Sequence, residues 1–350
     1  MATEFDCTTR NRINWIDLAK GITIILTIVG HSVSTGTIGA PLRGIIFSFH
    51  MPLFFILSCI TYRYSGSLKE LWAMLKRSAK HLLIPALVVQ LILVIYNFIE
   101  KPSRLTDPGY YIGKLNTWIY ASGVKFSVNG TEIFAIGITW FLIVLFLGRI
   151  AFDGLQLLLK NKILLYIASC IIGIAGVILG QLQWLPFSID IALAVFPFFC
   201  FGYYLKNHPI KKGSFPKLFI CFIVWIGTFG LTYFTRYTYL ELAARTYTLF
   251  PLCYLTAAAG TLFIAYLSIE LCKLGKITKP LIYVGKNSLY LLCIHAIDRI
   301  FKVCWNFDSQ WTTMVVRIVL DLIVFVLFML LRKLIKQWIS QNKNRKQIIE

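Results

Sequence analysis

Long apolar runs alternate with short polar stretches along this chain. Each run is close to the ~20 residues that a helix needs to cross a bilayer, and few charged residues interrupt it. Apolar runs of this length are typical of transmembrane helices. Ten such segments are present, at roughly residues 17–38, 42–62, 81–100, 133–152, 163–182, 187–205, 216–235, 247–271, 281–301 and 312–332. The pattern therefore predicts an all-α polytopic membrane protein with about ten transmembrane helices.

Composition supports this prediction. Of the 350 residues, 58% are hydrophobic and 14% are charged, whereas soluble domains are about 45–50% apolar and about 25% charged. The polar stretches between the segments are too short to hold a separate soluble domain. We therefore expect one transmembrane domain over residues 1–340 and a polar cytoplasmic tail over residues 341–350.

The net charge of +20 is explained by membrane topology. With a cytoplasmic N-terminus and ten helices, 25 of the 35 lysines and arginines fall on the inner side and ten on the outer side. Cytoplasmic loops of membrane proteins carry such an excess of basic residues. The distribution therefore predicts that both termini are cytoplasmic, and we expect no nucleic-acid partner.

The longest connection, residues 101–132, joins the third and fourth predicted helices on the outer side. Its prolines and glycines predict irregular structure. It also carries four aromatic side chains: Tyr110, Tyr111, Trp118 and Tyr120. Aromatic residues here are typical of the interfacial belt of membrane proteins, or they form a platform on which a sugar ring packs. The sequence leaves both interpretations open.

Two histidines lie inside the first two apolar segments. Lys20 sits near the inner end of the first segment, and His31 follows eleven residues later, about 16 Å further along a helix that rises 1.5 Å per residue. His50 lies early in the second, descending segment, at a similar depth. Ionisable side chains are costly at membrane depth and mark functional sites by default. We therefore expect His31 and His50 to carry chemistry.

Further polar residues fall in the same outer half of the predicted bundle. His295 and Asp298 lie near the outer end of the ninth segment, Asp190 near the top of the sixth, and Trp140 in the upper half of the fourth. Histidine is the side chain best suited to proton transfer near neutral pH. A layer of three histidines therefore predicts a site that moves protons. Arg317 and Asp321, spaced i,i+4 in the tenth segment, are predicted to neutralise each other without a chemical role.

A basic cluster occupies the cytoplasmic side. Lys76, Arg77, Lys80 and His81 directly precede the third apolar segment, and Lys20 enters from the first. Such side chains bind phosphate groups, which predicts a site for a phosphorylated co-substrate. The alternative is that the cluster only sets topology or contacts anionic lipid head groups.

Several motifs resemble the acyltransferase-3 family of integral membrane O-acyltransferases, and in particular the subgroup around fucose 4-O-acetylase. Residues 16–31, with Lys20 and His31 separated by ten residues, look like the first helix of that family. The segment SFHMPLFFILSC (residues 48–59) is similar to its second helix, with a cysteine at the end where glycine is usual. Arg77 and Lys80 resemble its Arg-x-x-Arg motif with one replacement. The landmarks WFL (residues 140–142) and VGKNSLYLLCIH (residues 284–295) also match.

The resemblance implies a cytoplasmic acyl-CoA donor, most often acetyl-CoA, and a hydroxyl group of an extracytoplasmic or lipid-linked glycan as acceptor. It implies that His31 acts as general base or carries the acyl group, and that His50 orients the acceptor or stabilises the oxyanion. Lys20, Arg77 and Lys80 would bind the donor. We expect Trp140, His295 and Asp298 to contact the acceptor, membrane lipids to surround the protein, and no metal to take part. The expected location is the inner (plasma) membrane of a bacterium.

A second class of function uses the same residues. A layer of histidines and acids inside a membrane is also typical of the proton relay of a secondary transporter. Transporters of this kind commonly contain internal repeats and matched broken helices, and the sequence shows no such repeat. The family motifs favour the enzyme, and a proton-coupled transporter remains the alternative.

Overall fold

The computed structural model describes residues 8–9, 12–33, 39–302 and 307–349. Predictions that concern residues 1–7, 10–11, 34–38, 303–306 and 350 lie outside these ranges. Helices dominate the described part of the chain, and each predicted apolar segment contains at least one. The α-helices are α1 (Asn14–Ser32), α2 (Gly39–Phe47), α3 (His50–Thr61), α4 (Leu68–Glu100), α5 (Pro108–Tyr120), α6 (Trp140–Leu158), α7 (Lys162–Leu182), α8 (Ile189–Ala194), α9 (Phe196–Asn207), α10 (Phe215–Arg236), α11 (Leu252–Cys272), α12 (Lys279–Lys286), α13 (Ser288–Ile297) and α14 (Gln310–Ile349).

Within the described ranges, eight helices are long and apolar enough to cross a membrane. The pair α8 and α9, bent by 52° at Val195, gives a ninth crossing if it is one span. The predicted segment 281–301 folds instead into two short helices, α12 and α13, which meet at Asn287. The prediction of a helical polytopic membrane protein is thus confirmed, whereas the count of ten stays a prediction.

Apolar side chains cover the outer surface of several spans, as expected for helices that face lipid. On α14, Leu327 is 60% exposed, and on α7 and α10 Ile167 and Ile220 are also exposed. A soluble monomer rarely presents such continuous apolar surface. The arrangement therefore fits a protein surrounded by hydrocarbon.

Connection 101–132 is more regular than its prolines and glycines predict. A short 3₁₀ turn (Pro102–Thr106) is followed by α5, and the antiparallel strands β3 (Phe126–Val128) and β4 (Thr131–Ile133) close the segment. Asp107 caps α5 by accepting a hydrogen bond from the Gly109 N–H at 2.9 Å. The prediction of irregular structure was wrong because a cap followed by proline at the first position starts a helix. The remaining strands, β1 (Thr8–Thr9) and β2 (Arg12–Ile13), pair near the start of the chain.

Helix α1 lies at the centre of the fold and packs on α12 at very short distance. A Cβ atom on Gly285 would lie 1.6 Å from the carbonyl oxygen of Asp17, and one on Gly21 would lie 2.1 Å from that of Leu281. Only glycine permits this approach of two backbones. The contact fixes the inner half of α1, and with it Lys20, against the segment that leads to His295.

Three breaks interrupt the apolar segments, and two of them lie in the segments that carry His50 and His295. Helices α2 and α3 are separated at Ser48 and Phe49, so His50 is the first residue of α3. Asn287 separates α12 from α13, whose last turn holds His295. Broken helices in membrane proteins are tolerated where they line a cavity. The break before His50 is therefore of the kind expected beside a cavity.

The last helix is longer than its apolar segment. Helix α14 continues past the predicted end at residue 332 to Ile349, so residue 341 marks a change of composition and not a break in secondary structure. Helix α4 likewise begins 13 residues before its predicted start at residue 81, and this extension carries the basic residues of the predicted donor site.

Candidate active site

Three histidines predicted to share one depth are brought together. The ring centroid of His31 lies 5.7 Å from that of His295 and 6.4 Å from that of His50. Phe47 packs on two of them, with centroid distances of 5.1 Å to His31 and 4.5 Å to His50. Residues from three separate segments thus form one cluster, with His31 in the middle.

Each histidine stands at the end of a helix. His31 belongs to the last turn of α1, His50 begins α3, and His295 lies in the last turn of α13. His50 Nδ1 is 3.2 Å from the carbonyl oxygen of Ile46 in the preceding helix, which fixes the ring across the break. His50 and His295 are buried, whereas His31 is only partly buried. His31 is therefore the most accessible of the three.

Two carboxylates contact the same ring nitrogen of His295. Its Nδ1 atom lies 2.9 Å from Asp321 Oδ2 and 3.1 Å from Asp298 Oδ2, and all three side chains are buried. The Nε2 atom has no hydrogen-bond partner among the described residues. A carboxylate on one ring nitrogen fixes the tautomer and the orientation of an imidazole. His295 is thus oriented toward the cavity that it lines.

Arg317 joins this network, so Arg317 and Asp321 each have a partner beyond the i,i+4 pair that the spacing predicts, and the expectation that they have no chemical role stays a prediction. The guanidinium forms an ion pair of 2.6 Å with Asp298 and donates a hydrogen bond of 2.9 Å to the backbone carbonyl oxygen of His31. Asp321 binds His295 instead. The i,i+4 spacing suggested mutual neutralisation, but a comparison of depths would have placed both residues level with the histidines.

Arg43 is a second cation that sequence analysis missed. It donates hydrogen bonds to the carbonyl oxygen of Gly30 at 3.0 Å and to the Tyr239 hydroxyl at 2.9 Å. Its guanidinium lies 4.0 Å from the centroid of the Phe47 ring and pairs with Glu241 at 3.4 Å. Arg43 therefore fixes the last turn of α1 in addition to Arg317. Its position at the start of the predicted segment 42–62, where a basic residue is ordinary, gave no signal of this role.

The largest cavity beside the cluster has a volume of about 670 Å³, and we refer to it as the large cavity. It lies between α4, α5, the segment 134–138 and the end of α13. Its polar lining includes His31, His295, Asp298, Arg317, Gln90, Asn97, Arg104, Lys114, Lys125 and Arg299. Its size is within the ~300–1,000 Å³ of ordinary ligand sites.

A second cavity of about 260 Å³, the central cavity, shares His31, Gly137 and Ile138 with the large cavity. His50, Arg43 and Trp140 also line it. The predicted substrate residue Trp140 thus lies beside the two predicted catalytic histidines. The other predicted acceptor residues, His295 and Asp298, line the large cavity.

A third cavity of about 210 Å³ contains Lys20, and we call it the Lys20 cavity. It shares Met51 with the central cavity. Its other charged or ionisable lining residues are His81 and Arg149. Arg77 and Lys80, the other predicted donor residues, are exposed on α4 and lie outside this lining. Arg149, which also donates to Ser78 at 3.1 Å, was missed because its charge was attributed to topology.

Within the described chain, no ion pair connects Asp190 to the histidine cluster. Its carboxylate pairs with Arg245 at 2.8 Å, and both side chains are buried. Arg245 also donates to the Ser122 hydroxyl at 3.1 Å and lies over the Trp184 ring at 4.0 Å. This network therefore ties the start of α8 to the 242–245 turn and serves the fold.

His295, Asp298 and Asp321 are grouped closely enough to hold a metal ion, since their ligand atoms lie within 4.8 Å of one another. Arg317 already pairs with Asp298, and its positive charge opposes a second cation at the same carboxylate. The expectation that no metal takes part stays a prediction.

Comparison with known proteins gives one match. The model of a family described as "Acyltransferase domain", an acyltransferase-3 family, matches residues 13–333. This range contains all three histidines and the residues of the three cavities. No curated protein and no solved structure matches the chain.

Proposed function

The chain belongs to the acyltransferase-3 family of membrane acyltransferases, and from that premise we propose that it moves an acyl group from acyl-CoA to a hydroxyl group of a glycan. The acyl group is acetyl in the simplest case. The donor binds from the cytoplasm, and the acceptor is extracytoplasmic or lipid-linked. The proposal includes a location in the inner membrane of a bacterium and membership of the fucose 4-O-acetylase-like subgroup.

One observation carries this proposal: three cavities follow one another and meet at His31 and Met51. The Lys20 cavity adjoins the central cavity at Met51, and the central cavity adjoins the large cavity at His31. A donor with a long flexible arm and an acceptor can therefore approach His31 from opposite sides. A group-transfer enzyme needs this arrangement because the two substrates must meet in one orientation.

The donor end suits a phosphorylated molecule. Lys20 and Arg149 line the Lys20 cavity together with His81. Basic side chains bind phosphate oxygens through charge-assisted hydrogen bonds. We assign the CoA phosphates to this end, with Arg77 and Lys80 at its entrance, and the pantetheine arm to the route past Met51.

At His31, the imidazole accepts the proton of the acceptor hydroxyl while the oxygen attacks the thioester carbonyl carbon. A C–O bond forms, the C–S bond breaks, and the proton passes to the departing thiolate to give CoA-SH and an ester. A positioned general base typically contributes about 10²–10⁴-fold. In the alternative route His31 itself carries the acyl group, and that route releases CoA-SH before the acceptor binds.

The neighbouring groups support this chemistry in two ways. Arg317 and Arg43 hold the backbone carbonyl oxygens of His31 and Gly30, so the ring is presented from a fixed turn. His50 lines the same cavity, and because its Nδ1–H donates to the Ile46 carbonyl oxygen, its Nε2 atom is left as an acceptor that is suited to orient the acceptor hydroxyl. Trp140 offers an apolar face for the sugar ring.

Acceptor-dependent release of CoA-SH tests the proposal. Purified full-length protein in nanodiscs is given acetyl-CoA with and without cell-envelope glycan, and free thiol is measured together with ester-linked acetyl. We expect thiol and ester in equal amounts. A burst of thiol without acceptor identifies the acyl-carrier route. Intact thioester in both arms, together with proton uptake by the same protein reconstituted into sealed vesicles, would overturn the enzyme in favour of a proton-coupled transporter.

A further inference from the structure

We propose that the acceptor carries an anionic group, a phosphate or a carboxylate, which binds between Arg104, Lys114 and Arg299 in the large cavity. The inference rests on the proposed function, since it specifies the acceptor of that reaction. We refer to these three residues as the cationic cluster.

The cationic cluster is assembled from three separate elements. Arg104 lies in the 3₁₀ turn Pro102–Thr106, Lys114 lies on α5, and Arg299 lies in the 3₁₀ turn after α13. All three line the large cavity. The Arg104 guanidinium and the Lys114 ammonium lie 5.5 Å and 5.8 Å from the centroid of the same ring, that of Tyr110. The connection 101–132 therefore folds two cations toward the cavity, and the turn after α13 supplies the third.

These charges act on one another. Burial lowers the pKa of Lys114, and the positive charges of Arg299 and then Arg104 lower it further. Like charges brought together destabilise the folded state, and the Asp298 carboxylate offsets this in part at Arg299. An anion bound among them removes that cost, so the cluster has the electrostatics of an anion site.

The carboxylates around the cavity have other partners. Glu100 pairs with Lys302 at 3.0 Å, Glu132 pairs with Lys125, and Asp298 pairs with Arg317. Asp107 caps α5. Among the residues that the structure describes, no carboxylate lies within ion-pair distance of Arg104, Lys114 or Arg299. Arg104 donates only to the backbone and side-chain oxygens of Asn97 within that part of the chain.

Topology does not explain the cluster. The excess of basic residues on the cytoplasmic side follows from membrane insertion, whereas all three cations fall on the predicted outer side. The cluster and His31 also line one cavity. An anionic group bound at the cluster would therefore hold a neighbouring sugar hydroxyl near His31, and arginine and lysine are the residues that recognise phosphate and carboxylate.

The test compares matched oligosaccharides that carry a hexuronic acid, a sugar phosphate or the neutral hexose. Binding to full-length protein in nanodiscs is measured by calorimetry at low and high salt, without acetyl-CoA. We expect at least one anionic probe to bind roughly tenfold or more tightly than the neutral one, with an advantage that falls as salt rises. The two charged probes distinguish a uronic acid from a phosphate as the source of the charge.

The variants Lys114→Gln and Arg299→Gln should each weaken the preferred anionic probe about tenfold and leave the neutral probe unchanged. Lys114→Arg should retain binding. Lys302→Gln, which removes an exposed cation paired with Glu100, is the matched control and should bind like the wild type. Melting temperatures of all variants establish that they are folded.

The two proposals fail in different ways. Equal binding of charged and neutral probes, or unchanged anion binding in both folded glutamine variants, overturns the anionic acceptor whatever the acyl-transfer assay gives. Selective anion binding by a protein that never cleaves acetyl-CoA supports the cationic cluster as an anion site and contradicts the proposed transfer reaction.

Discussion

The guanidinium of Arg317 donates a hydrogen bond of 2.9 Å to the backbone carbonyl oxygen of His31, 286 positions earlier in the chain. The same side chain pairs with Asp298, which adjoins His295. Arg317 on α14 therefore holds both the last turn of α1 and Asp298, the carboxylate that contacts His295. The position of His31 depends on the final helix as well as on its own.

Arg317→Gln should lower both activity and stability. Removal of one partner from a buried ion pair leaves an uncompensated charge and typically costs about 3–5 kcal/mol, here at Asp298. We expect a clear drop in melting temperature in detergent and a fall in kcat for acyl transfer, with little change in the KM for acetyl-CoA.

A double variant separates the two effects. Arg317→Gln combined with Asp298→Asn removes the buried charge and should recover much of the melting temperature but not the activity. Lys333→Gln, an exposed position further along α14, is the control. Full activity in the single variant would show that Arg317 does not position His31.

Much of this arrangement follows from residue order and helix rise alone. The depths of His31, His50 and His295 could be compared because each lies at a countable distance from a polar boundary, and the three rings are indeed neighbours. Helical structure across the apolar segments could also be predicted from the sequence. Apolar runs of this length satisfy their backbone hydrogen bonds in a membrane only as helices.

Other parts depended on tertiary contacts that spacing does not contain. Arg317 and Asp321 are four residues apart and looked self-sufficient, yet each meets a partner on another helix. Arg43 and Arg149 sit in stretches where a basic residue is ordinary. The break before His50 and the folded connection 101–132 could not be predicted from composition, because both depend on local backbone geometry.

Lys20→Ala should raise the KM for acetyl-CoA roughly tenfold, because loss of one charge-assisted contact to phosphate costs about 1.5–3 kcal/mol. Arg77→Ala should raise it less, since its exposed charge is screened by salt. The measurement is initial rate against acetyl-CoA concentration. Lys69→Ala, which removes another exposed cation of α4, serves as the control. An unchanged KM in both variants would indicate that Lys20 and Arg77 only set membrane topology or contact lipid head groups.

Gly285→Val should destabilise the protein more strongly than an ordinary core substitution. The added Cβ would lie 1.6 Å from the Asp17 carbonyl oxygen, so α1 and α12 must separate, and overpacking typically costs about 1–3 kcal/mol or more. Gly227→Ala is the matched comparison, because a Cβ there meets no atom within 4 Å and alanine favours the helix by about 1 kcal/mol. Melting temperatures that rank these variants in the opposite order would contradict the close contact of α1 and α12.

A reporter fused after Glu350 should be cytoplasmic, and one inserted at the turn of the β3–β4 hairpin should be outside. This prediction follows from the excess of basic residues on one side. Paired phosphatase and fluorescent-protein fusions in whole cells provide the measurement. Two reporters on the same side would contradict the topology and the assignment of donor and acceptor ends.

The measurement that tests the account most directly is ester-linked acetyl formed on envelope glycan by purified His31→Ala protein in nanodiscs. His208→Ala is the control, because that histidine is exposed and stacks on Tyr204 at the end of α9. We predict that His31→Ala remains folded and loses transfer by about 10²-fold or more, while His208→Ala transfers like the wild type. Wild-type acetylation by folded His31→Ala protein would contradict the central role of His31.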